Sequence, residues 1–459
     1  MFERLLALSA ALLVMGAPVL AEPIGVFDNA MDIGNPKAIG STVISGSRTG
    51  NGLDTLTEEY LLTGGGGDIW GTADQFHFAY RELSGDVRIS SSFDLVVGNN
   101  TWTKFGVMLR DLGADGDAVS YQTITRRDRD LVAFQRRASQ GAGAGTNTEV
   151  SVDDFVKLGV QRVSLGDYTV VEGLVDYGSG WESMGIELPT NLPDQIGAGV
   201  ALTSHDNNWA GQVKAYDVQY SSSPELVAQL ANVSADLALA EQCSEIPGFK
   251  IRSGAPLVSE GWGYDAMNEF LDTGMLNDLP AIPGSEATRI SEFVNLHDTG
   301  GRGAFSEENG YADESYPGID PFESPTADPA AGDDDDSFAT QVDACIFLTA
   351  GAHIIGANSD DGTIIEIGGV EVGRAAEWKG TSNVDFLFTV EADGWYSLRA
   401  RSLEGSGGGA LELHEVLADG TRILLGDVAN GGSPVFVPEP ATIALLGLGG
   451  LALIRRRRS

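Results

Sequence analysis

Short segments in which apolar and polar residues alternate run from residue 24 to residue 221, and similar segments return after residue 246. Residues 87–93 and 105–109 are examples, and glycine and asparagine interrupt the pattern between them. A period of two puts successive side chains on opposite faces of a strand. Sixty of the 459 residues are glycine, and tight turns between antiparallel strands commonly use glycine. We therefore predict a mainly β chain with two β-sandwich, jelly-roll-like domains.

The charge of the chain excludes one class of partner. Lys and Arg number 28 against 66 Asp and Glu, which gives a formal net charge of −38. Nucleic acids require a basic face, and anionic lipid headgroups favour one, so we expect no nucleic acid partner. The chain is nevertheless 42% hydrophobic, which is enough to build packed cores rather than an acidic disordered chain.

The predicted domain boundaries follow changes in the pattern. The first sandwich covers residues 24–221, a helical linker covers residues 222–243, and the second sandwich covers residues 246–432. Ser223 before Pro224 is a common helix start. Apolar residues then recur at helical spacing, as expected for one face of a connecting helix that packs on either domain or binds a partner: Leu226, Leu230, Val233, Leu237 and Ala240.

Two further features are expected inside the second domain. A short helix is predicted near residues 264–272, before Gly274. Residues 297–340 form an acidic stretch with glycine and proline that ends in four consecutive aspartates, and we predict a long loop there. Loops of this length are usually functional or disordered.

Residues 1–21 have the layout of a secretory signal peptide. Arg4 precedes an apolar run, and Ala21 supplies a small residue at the expected cleavage point. The apolar run is short for a bilayer span of about 17–25 residues. An uncleaved N-terminal anchor is the alternative interpretation.

The C-terminus, residues 437–459, has three parts in a fixed order. Pro438, Glu439 and Pro440 precede the apolar residues 441–454, and a basic cluster ends the chain: Arg455, Arg456, Arg457 and Arg458. This order resembles the PEP-CTERM sorting signal. The resemblance implies transient insertion of the tail into the inner membrane, processing by an exosortase, and export to the envelope, outer surface or matrix of a Gram-negative bacterium. A plain C-terminal membrane anchor is the alternative.

The two cysteines, Cys243 and Cys345, are predicted to form a disulfide, because exported proteins with an even cysteine count usually pair them. Neither cysteine has the spacing of a redox or zinc motif. A catalytic cysteine is disfavoured as well, since no histidine lies near either residue in the sequence.

The first domain contains three segments with a distinctive sequence pattern, at residues 64–78, 105–110 and 200–206. These segments resemble concanavalin A-like, laminin-G-like jelly-roll domains. The paired-carboxylate spacing of glycoside hydrolases on this fold is not found in the first domain, and His77 and His205 are expected to be structural.

Four tryptophans lie in the same domain: Trp70, Trp102, Trp181 and Trp209. Aromatic planes can cover the CH-rich faces of sugar rings. We expect at least two of the four to be buried, and we predict that Trp209, in a turn-like stretch, binds the ligand.

The second domain contains the turn Ser359-Asp360-Asp361-Gly362 between two apolar segments. With the strand that follows, this turn resembles that of protective-antigen-type (PA14) β-sandwich domains. In adhesin members of that family the paired aspartates hold a Ca²⁺ that also contacts sugar hydroxyls. The resemblance makes Asp360 and Asp361 candidate Ca²⁺ ligands, a chemistry that suits carboxylate oxygens. Asn383, Asp298 or residues 333–336 could complete the shell.

These observations favour a non-enzymatic, exported protein that binds carbohydrate or another surface in adhesion and biofilm. An exported carbohydrate-active hydrolase and a purely structural surface component are the alternatives.

Overall fold

The computed structural model describes residues 23–49, 56–127, 129–153, 155, 157–188, 191–239, 244–254, 287–297, 303–305, 310–317, 338–377, 379–404 and 409–438. The chain divides into two compact units. The first holds residues up to 163 together with residues 170–228, and the second holds residues 164–169 together with the chain from residue 229 onward.

The first unit is built from fourteen strands within the described residues. They are β1 Asn29–Ile33, β2 Ser41–Thr49, β3 Leu56–Gly66, β4 Phe76–Leu83, β5 Val87–Val97, β6 Lys104–Arg110, β7 Ser120–Arg126, β8 Leu131–Arg137, β9 Gly145–Ser151, β10 Lys157–Leu165, β11 Tyr168–Asp176, β12 Trp181–Glu187, β13 Ile196–Thr203 and β14 Asp206–Ser221.

Two seven-stranded sheets form this unit, in the orders β1-β4-β13-β6-β7-β8-β9 and β12-β11-β10-β5-β14-β3-β2. Strand β6 illustrates why alternation produces a sandwich. Phe105, Val107 and Leu109 point into the core shared with residues of the second sheet, whereas Met108 belongs to a separate cluster. That separate cluster also contains Ile69 from the β3–β4 loop, so the loop is anchored by burial of its own apolar side chain.

The second unit contains thirteen strands within the described residues. They are β15 Ala231–Val233, β16 Phe249–Gly254, β17 Ala287–Ser291, β18 Asn295–His297, β19 Phe338–Leu348, β20 Gly351–Asp360, β21 Gly362–Ile367, β22 Val370–Ala375, β23 Ser382–Val390, β24 Gly394–Glu404, β25 Ala410–Val416, β26 Arg422–Leu424 and β27 Val435–Phe436. Two short 3-10 turns accompany them, at Ala235–Leu237 and Val428–Asn430.

The strands of the second unit also form two sheets, in the orders β15-β23-β20-β25-β18 and β17-β16-β19-β24-β21-β22. Strand β26 pairs with β25, and β27 pairs with β19. Their inner faces share one apolar core that includes Phe249, Ile355, Ile365 and Leu398. The prediction of a mainly β chain with β-sandwich domains is therefore confirmed.

The predicted helical linker is wrong for the described residues 222–239. Residues 231–233 form β15, which pairs in parallel with β23, and Val233 is fully buried in the second core. Upstream, the buried Glu172 carboxylate accepts hydrogen bonds from the backbone N–H groups of Val227 and Ala228, at 3.0 and 2.7 Å. Tertiary contacts of this strength override a weak helical pattern, because helix propensity is a small term per residue.

Several predictions fall outside the described residues: the signal peptide (1–21), the short helix at 264–272, the aspartate run at 333–336, and Cys243. Cys345 is buried on β19, and no cysteine in the described part of the chain is free. The pairing of Cys243 with Cys345 stays a prediction. No helix among the described residues is long and apolar enough to cross a membrane.

Asp385 lies in an ion cluster of the second unit, between the buried His414 side chain and the exposed Arg422 side chain. His414 and Arg422 bind Asp385, with His414 Nε2 2.7 Å from Oδ1. Burial alone would raise the pKa of Asp385, but the hydrogen bonds from His414 and Arg422 and their charges lower it to about 2.

Because the folded pKa lies below the unfolded value, we expect the stabilisation from Asp385 to be complete above about pH 4 and lost as the pH falls to 2. The loss is about 2 kcal/mol. Urea unfolding between pH 5 and pH 2 measures it. The Asp385→Asn variant should be less stable at pH 5 and show a flatter pH profile, whereas a parallel profile would contradict this assignment.

Candidate functional site

Three buried carboxylates converge at one end of the second sandwich. Asp360 ends β20, Asp361 follows it, and Glu404 ends β24. One oxygen of each side chain lies within 4.8 Å of one oxygen of each of the other two. The exposed fractions are 8% for Asp360, 6% for Asp361 and 2% for Glu404, so the two aspartates lie nearer the surface. We call these three residues the carboxylate cluster.

The strand order explains how distant residues meet in the carboxylate cluster. Strands β21 and β24 are neighbours, and Gly362 pairs with Leu403. The Asp361 backbone N–H donates to the Leu403 carbonyl at 3.2 Å, which brings the turn next to Glu404. The Asp360–Asp361 peptide bond is cis.

The segment before β23 holds the two aspartates in place. Thr381 donates from its backbone N–H and its Oγ1 to Asp360 Oδ2, at 3.2 and 3.1 Å. The Lys379 backbone N–H donates to Asp361 Oδ1 at 2.9 Å. Burial lowers the pKa of the Lys379 ammonium, and the charges of Asp360 and Asp361 oppose that effect. The Lys379 ammonium is therefore close enough to both carboxylates for their charges to affect its pKa.

The oxygen donors of the carboxylate cluster suit a hard cation such as Ca²⁺, which takes six to eight oxygen ligands. Buried carboxylates this close repel one another unless a proton or a cation intervenes. The structure brings Asp360 and Asp361 together with Glu404, which the sequence analysis missed. Binding of Ca²⁺ by the two aspartates stays a prediction. No local motif points to Glu404, because residues 361 and 404 are far apart in the chain. Only the register of β24 against β21 places Glu404 beside the two aspartates. Of the predicted completing ligands, Asn383 pairs opposite Asn358, while Asp298 and residues 333–336 lie outside the described part.

The tryptophans of the first unit are distributed differently from the expectation. None of the four is buried, so the prediction of at least two buried rings is wrong. Trp70 and Trp102 are the exposed ones, at 40% and 49%, whereas Trp209 is half-buried near the start of β14. A ligand role for Trp209 stays a prediction.

Trp70 and Trp102 border an open cleft of about 400 Å³ in the first unit. Its other lining residues come from the loops beside them and from the outer face of β6 to β9, and include Asp68, Lys104, Arg126, Leu131, Gln135 and His205. His205, expected to be structural, thus faces a cavity. His77 is buried as expected, between Thr42 and Asp32 at 2.9 and 2.8 Å.

The sorting-signal residues fall at the boundary of the described chain. Pro438 lies just after β27. Glu439, Pro440, Arg455, Arg456, Arg457 and Arg458 lie outside the described residues. The last described residues are held to the second unit by backbone hydrogen bonds. The Val437 N–H, for example, donates to the Ile246 carbonyl at 2.8 Å.

Residues 436–458 match the model of the PEP-CTERM protein-sorting motif. The motif indicates an exported protein that is anchored at, or secreted to, the cell envelope, and signals of this kind are processed by exosortase. No curated protein matches the chain at a significant level.

Solved structures similar to parts of the chain include a PA14 domain of the MpAFP antifreeze protein, which is 14% identical and covers 42% of this chain and 93% of its own, at a TM-score of 0.28. A PA14 sugar-binding domain from an RTX adhesin is 17% identical, covers 39% and 95%, and scores 0.26. The Epa9A adhesin domain of Candida glabrata, in complex with Galβ1-3GlcNAc, is 8% identical, covers 46% and 98%, and scores 0.30. At such scores these likenesses carry no argument about function.

Proposed function

We propose that this exported protein binds carbohydrate at a surface with the help of Ca²⁺ held by the carboxylate cluster. The observation that carries the proposal is the convergence of three buried carboxylates, Asp360, Asp361 and Glu404, within 4.8 Å. Bound Ca²⁺ would supply positive charge and open coordination positions to oxygen ligands. Neighbouring hydroxyl groups of a sugar ring offer such ligands in pairs.

The surrounding contacts support a site that is formed before the ligand arrives. Asp360 and Asp361 are fixed by backbone and side-chain donors of residues 379–381, so little side-chain freedom remains to be lost on binding. The aspartates are the more exposed members of the cluster, which leaves the sugar to approach from their side.

The experiment is a glycan array probed with the full exported chain in Ca²⁺ and in EGTA. We expect signals for some glycans in Ca²⁺, loss of those signals in EGTA, and recovery with Ca²⁺ but not with Mg²⁺, because Mg²⁺ requires shorter, octahedral coordination. The Asp361→Asn variant should lose at least about tenfold in affinity, or about 1.4 kcal/mol.

The matched control is Glu371→Gln on β22, which alters an exposed carboxylate paired with Arg374 at 2.8 Å. That variant should bind as the parent does. Glycan signals that persist in EGTA and in Asp361→Asn would argue against the proposal. The same preparation, incubated with polysaccharides, should release no reducing ends, and release would support the hydrolase alternative.

The location proposed for this binding is the outer surface or biofilm matrix of a Gram-negative bacterium that makes exopolysaccharide. The sorting motif at residues 436–458 supports export. Fractionation of cells with and without an exosortase tests the proposed location. Retention of the uncleaved protein in the inner membrane of both strains would contradict an outer-surface or matrix location.

A further inference from the structure

The cleft of the first unit is separate from the carboxylate cluster and has the make-up of a ligand site. All its lining residues belong to the first unit, between residues 68 and 205. Its volume, about 400 Å³, falls within the range of about 300–1,000 Å³ that small-molecule sites occupy. Ile124, Leu131 and Ala133 give it an apolar floor on β7 and β8. The sandwich core lies on the opposite face of the same strands.

Two tryptophans border the cleft and remain available to a ligand. Trp70 is 40% exposed and Trp102 is 49% exposed. Each carries a cation near its ring, with Lys104 Nζ 5.3 Å from the Trp70 centroid and Arg126 Cζ 5.3 Å from the Trp102 centroid. Exposure of apolar ring surface to water costs free energy in proportion to its area. A ligand that covers the two rings removes that surface from water and gains this free energy.

Polar groups link the two aromatic rings. Lys104 Nζ lies 2.7 Å from Asp68 Oδ1, and His205 Nε2 lies 3.4 Å from Asp68 Oδ2. The His205 ring in turn lies 6.4 Å from the Trp102 ring. The result is an aromatic–polar–aromatic row in which hydrogen-bonding groups stand between two flat apolar surfaces.

The charges in the cleft favour a neutral ligand. The Lys104 ammonium is held by Asp68 and by the Ile69 carbonyl at 3.2 Å. The Arg126 guanidinium is held by Asp130 at 3.1 and 3.3 Å. Glu149 adds a carboxylate to the lining, and the chain as a whole carries −38. An anionic polymer would therefore meet cations that are already neutralised and a repulsive surrounding field.

The row is held in place before any ligand binds. Asn100 Oδ1 accepts from the backbone N–H of Trp102 at 2.9 Å, and Asn100 Nδ2 donates to the His205 carbonyl at 3.2 Å. His205 has a φ of 56°, a left-handed conformation that is uncommon for residues other than glycine but is adopted by histidine more often than by most.

We propose that this cleft binds a neutral oligosaccharide, without a metal, by stacking sugar rings on Trp70 and Trp102. Asp68, Gln135 and His205 are the polar groups placed to bind the hydroxyls between them. The carboxylate cluster belongs to the second unit, and the proposal places no metal ion in the cleft. The protein would then hold glycan through two independent sites.

The experiment titrates the full exported chain, in EDTA, with neutral hexasaccharides of glucose, xylose, mannose and galactose in α and β linkages. Isothermal titration and tryptophan fluorescence give the affinity. We expect at least one series to bind, and the Kd to rise about ten- to hundredfold in Trp70→Ala and in Trp102→Ala, as loss of a buried aromatic contact implies. Trp102→Phe should restore most of the affinity. The two alanine variants change exposed side chains, so they should fold as the parent does.

Two controls separate this site from the others. Asp361→Asn should leave binding in EDTA unchanged, which distinguishes failure of this site from failure of the Ca²⁺ proposal. Trp209→Ala tests the cleft against the sequence-based prediction for Trp209, which does not line the cleft. If the cleft holds the glycan, binding in EDTA should be unchanged in this variant. The inference is overturned by absence of binding to every neutral hexasaccharide, by tighter binding of a uronic acid hexasaccharide, or by a loss in Trp209→Ala that Trp70→Ala and Trp102→Ala do not show.

Discussion

Replacing Asp74 by alanine is expected to destabilise the first unit by about 3–5 kcal/mol, the largest effect of a single substitution that we anticipate. Asp74 is 1% exposed and bridges two buried arginines. Arg110 Nη1 lies 3.0 Å from Oδ2, and Arg137 Nη2 lies 2.5 Å from Oδ1. Without the carboxylate, two guanidinium groups remain in the interior with no opposing charge from Asp74, which is far more costly than losing an exposed ion pair.

The effect should extend to the cleft, because Asp74 closes the loop that presents Asp68 and Trp70. Its backbone N–H donates to the Gly116 carbonyl at 2.7 Å, and Arg137 Nη1 donates to the Gly71 carbonyl at 2.6 Å. We therefore expect increased exposure of the loop to hydrogen exchange, together with weaker binding of the neutral hexasaccharide.

Hydrogen-exchange mass spectrometry under urea gives the stability of the first unit separately from the second. Asp74→Asn, which keeps the shape but removes the charge, should fall between the parent and Asp74→Ala. Asp28→Ala is the control, since Asp28 and Arg81 are partly exposed and 4.0 Å apart, and its loss should be below about 1 kcal/mol. Equal losses of stability in Asp74→Ala and Asp28→Ala would show that the buried group of Asp74, Arg110 and Arg137 stabilises the first unit no more than an exposed ion pair does.

Ca²⁺ is expected to stabilise the second unit by about 2.7 kcal/mol when its free concentration is one hundred times Kd. A cation that binds the folded carboxylate cluster, and not the unfolded chain, shifts the unfolding equilibrium by mass action. It also relieves repulsion among three carboxylates whose oxygens lie within 4.8 Å. The stabilisation should depend on Ca²⁺ concentration and should be absent in EGTA.

The measurement is the urea midpoint of the second unit with Ca²⁺ or EGTA, in the parent and in Glu404→Gln. Glu404→Gln should reduce the Ca²⁺-dependent shift, because one of the three carboxylates of the cluster is removed. Glu371→Gln should behave as the parent in both solutions. An identical midpoint with and without Ca²⁺ in the parent protein would contradict Ca²⁺ binding by the cluster.

The two candidate sites differ in how far the sequence revealed them. Asp360 and Asp361 are adjacent, so a local motif carried the chemistry, and the register of two strands added Glu404. The cleft had no local signature. Trp70 and Trp102 are in separate loops, and the fold brings both to the cleft on the outer face of β6 to β9. Exposure likewise depended on the neighbours of each ring, which is why Trp209 looked exposed in sequence and is half-buried in the fold.

The predicted linker helix is the converse case. Leu226, Leu230 and Val233 have the spacing of one face of an amphipathic helix. In the protein, Glu172 accepts the hydrogen bonds of residues 227 and 228, and β23 accepts residues 231–233 as a parallel neighbour. A helix of this length is only marginally stable on its own. Hydrogen bonds between the backbone of this segment and the neighbouring sheets therefore stabilise the extended conformation more than a short helix would be stabilised.

Properties encoded over a few neighbouring residues can be read from the amino-acid sequence: the strand alternation, the turn-forming glycines, the Asp360-Asp361 pair and the three-part tail that matches the sorting motif. Periodicity, turn chemistry and a linear signal are local in this sense, and the acidic charge follows from composition. Which strands are neighbours depends on the fold. The fold therefore places Glu404 beside the two aspartates, makes segment 222–233 non-helical, and brings Trp70, His205 and Trp102 to one cleft. Such juxtapositions depend on contacts between residues distant in the chain, and their free energy appears only once both sheets of a sandwich have formed.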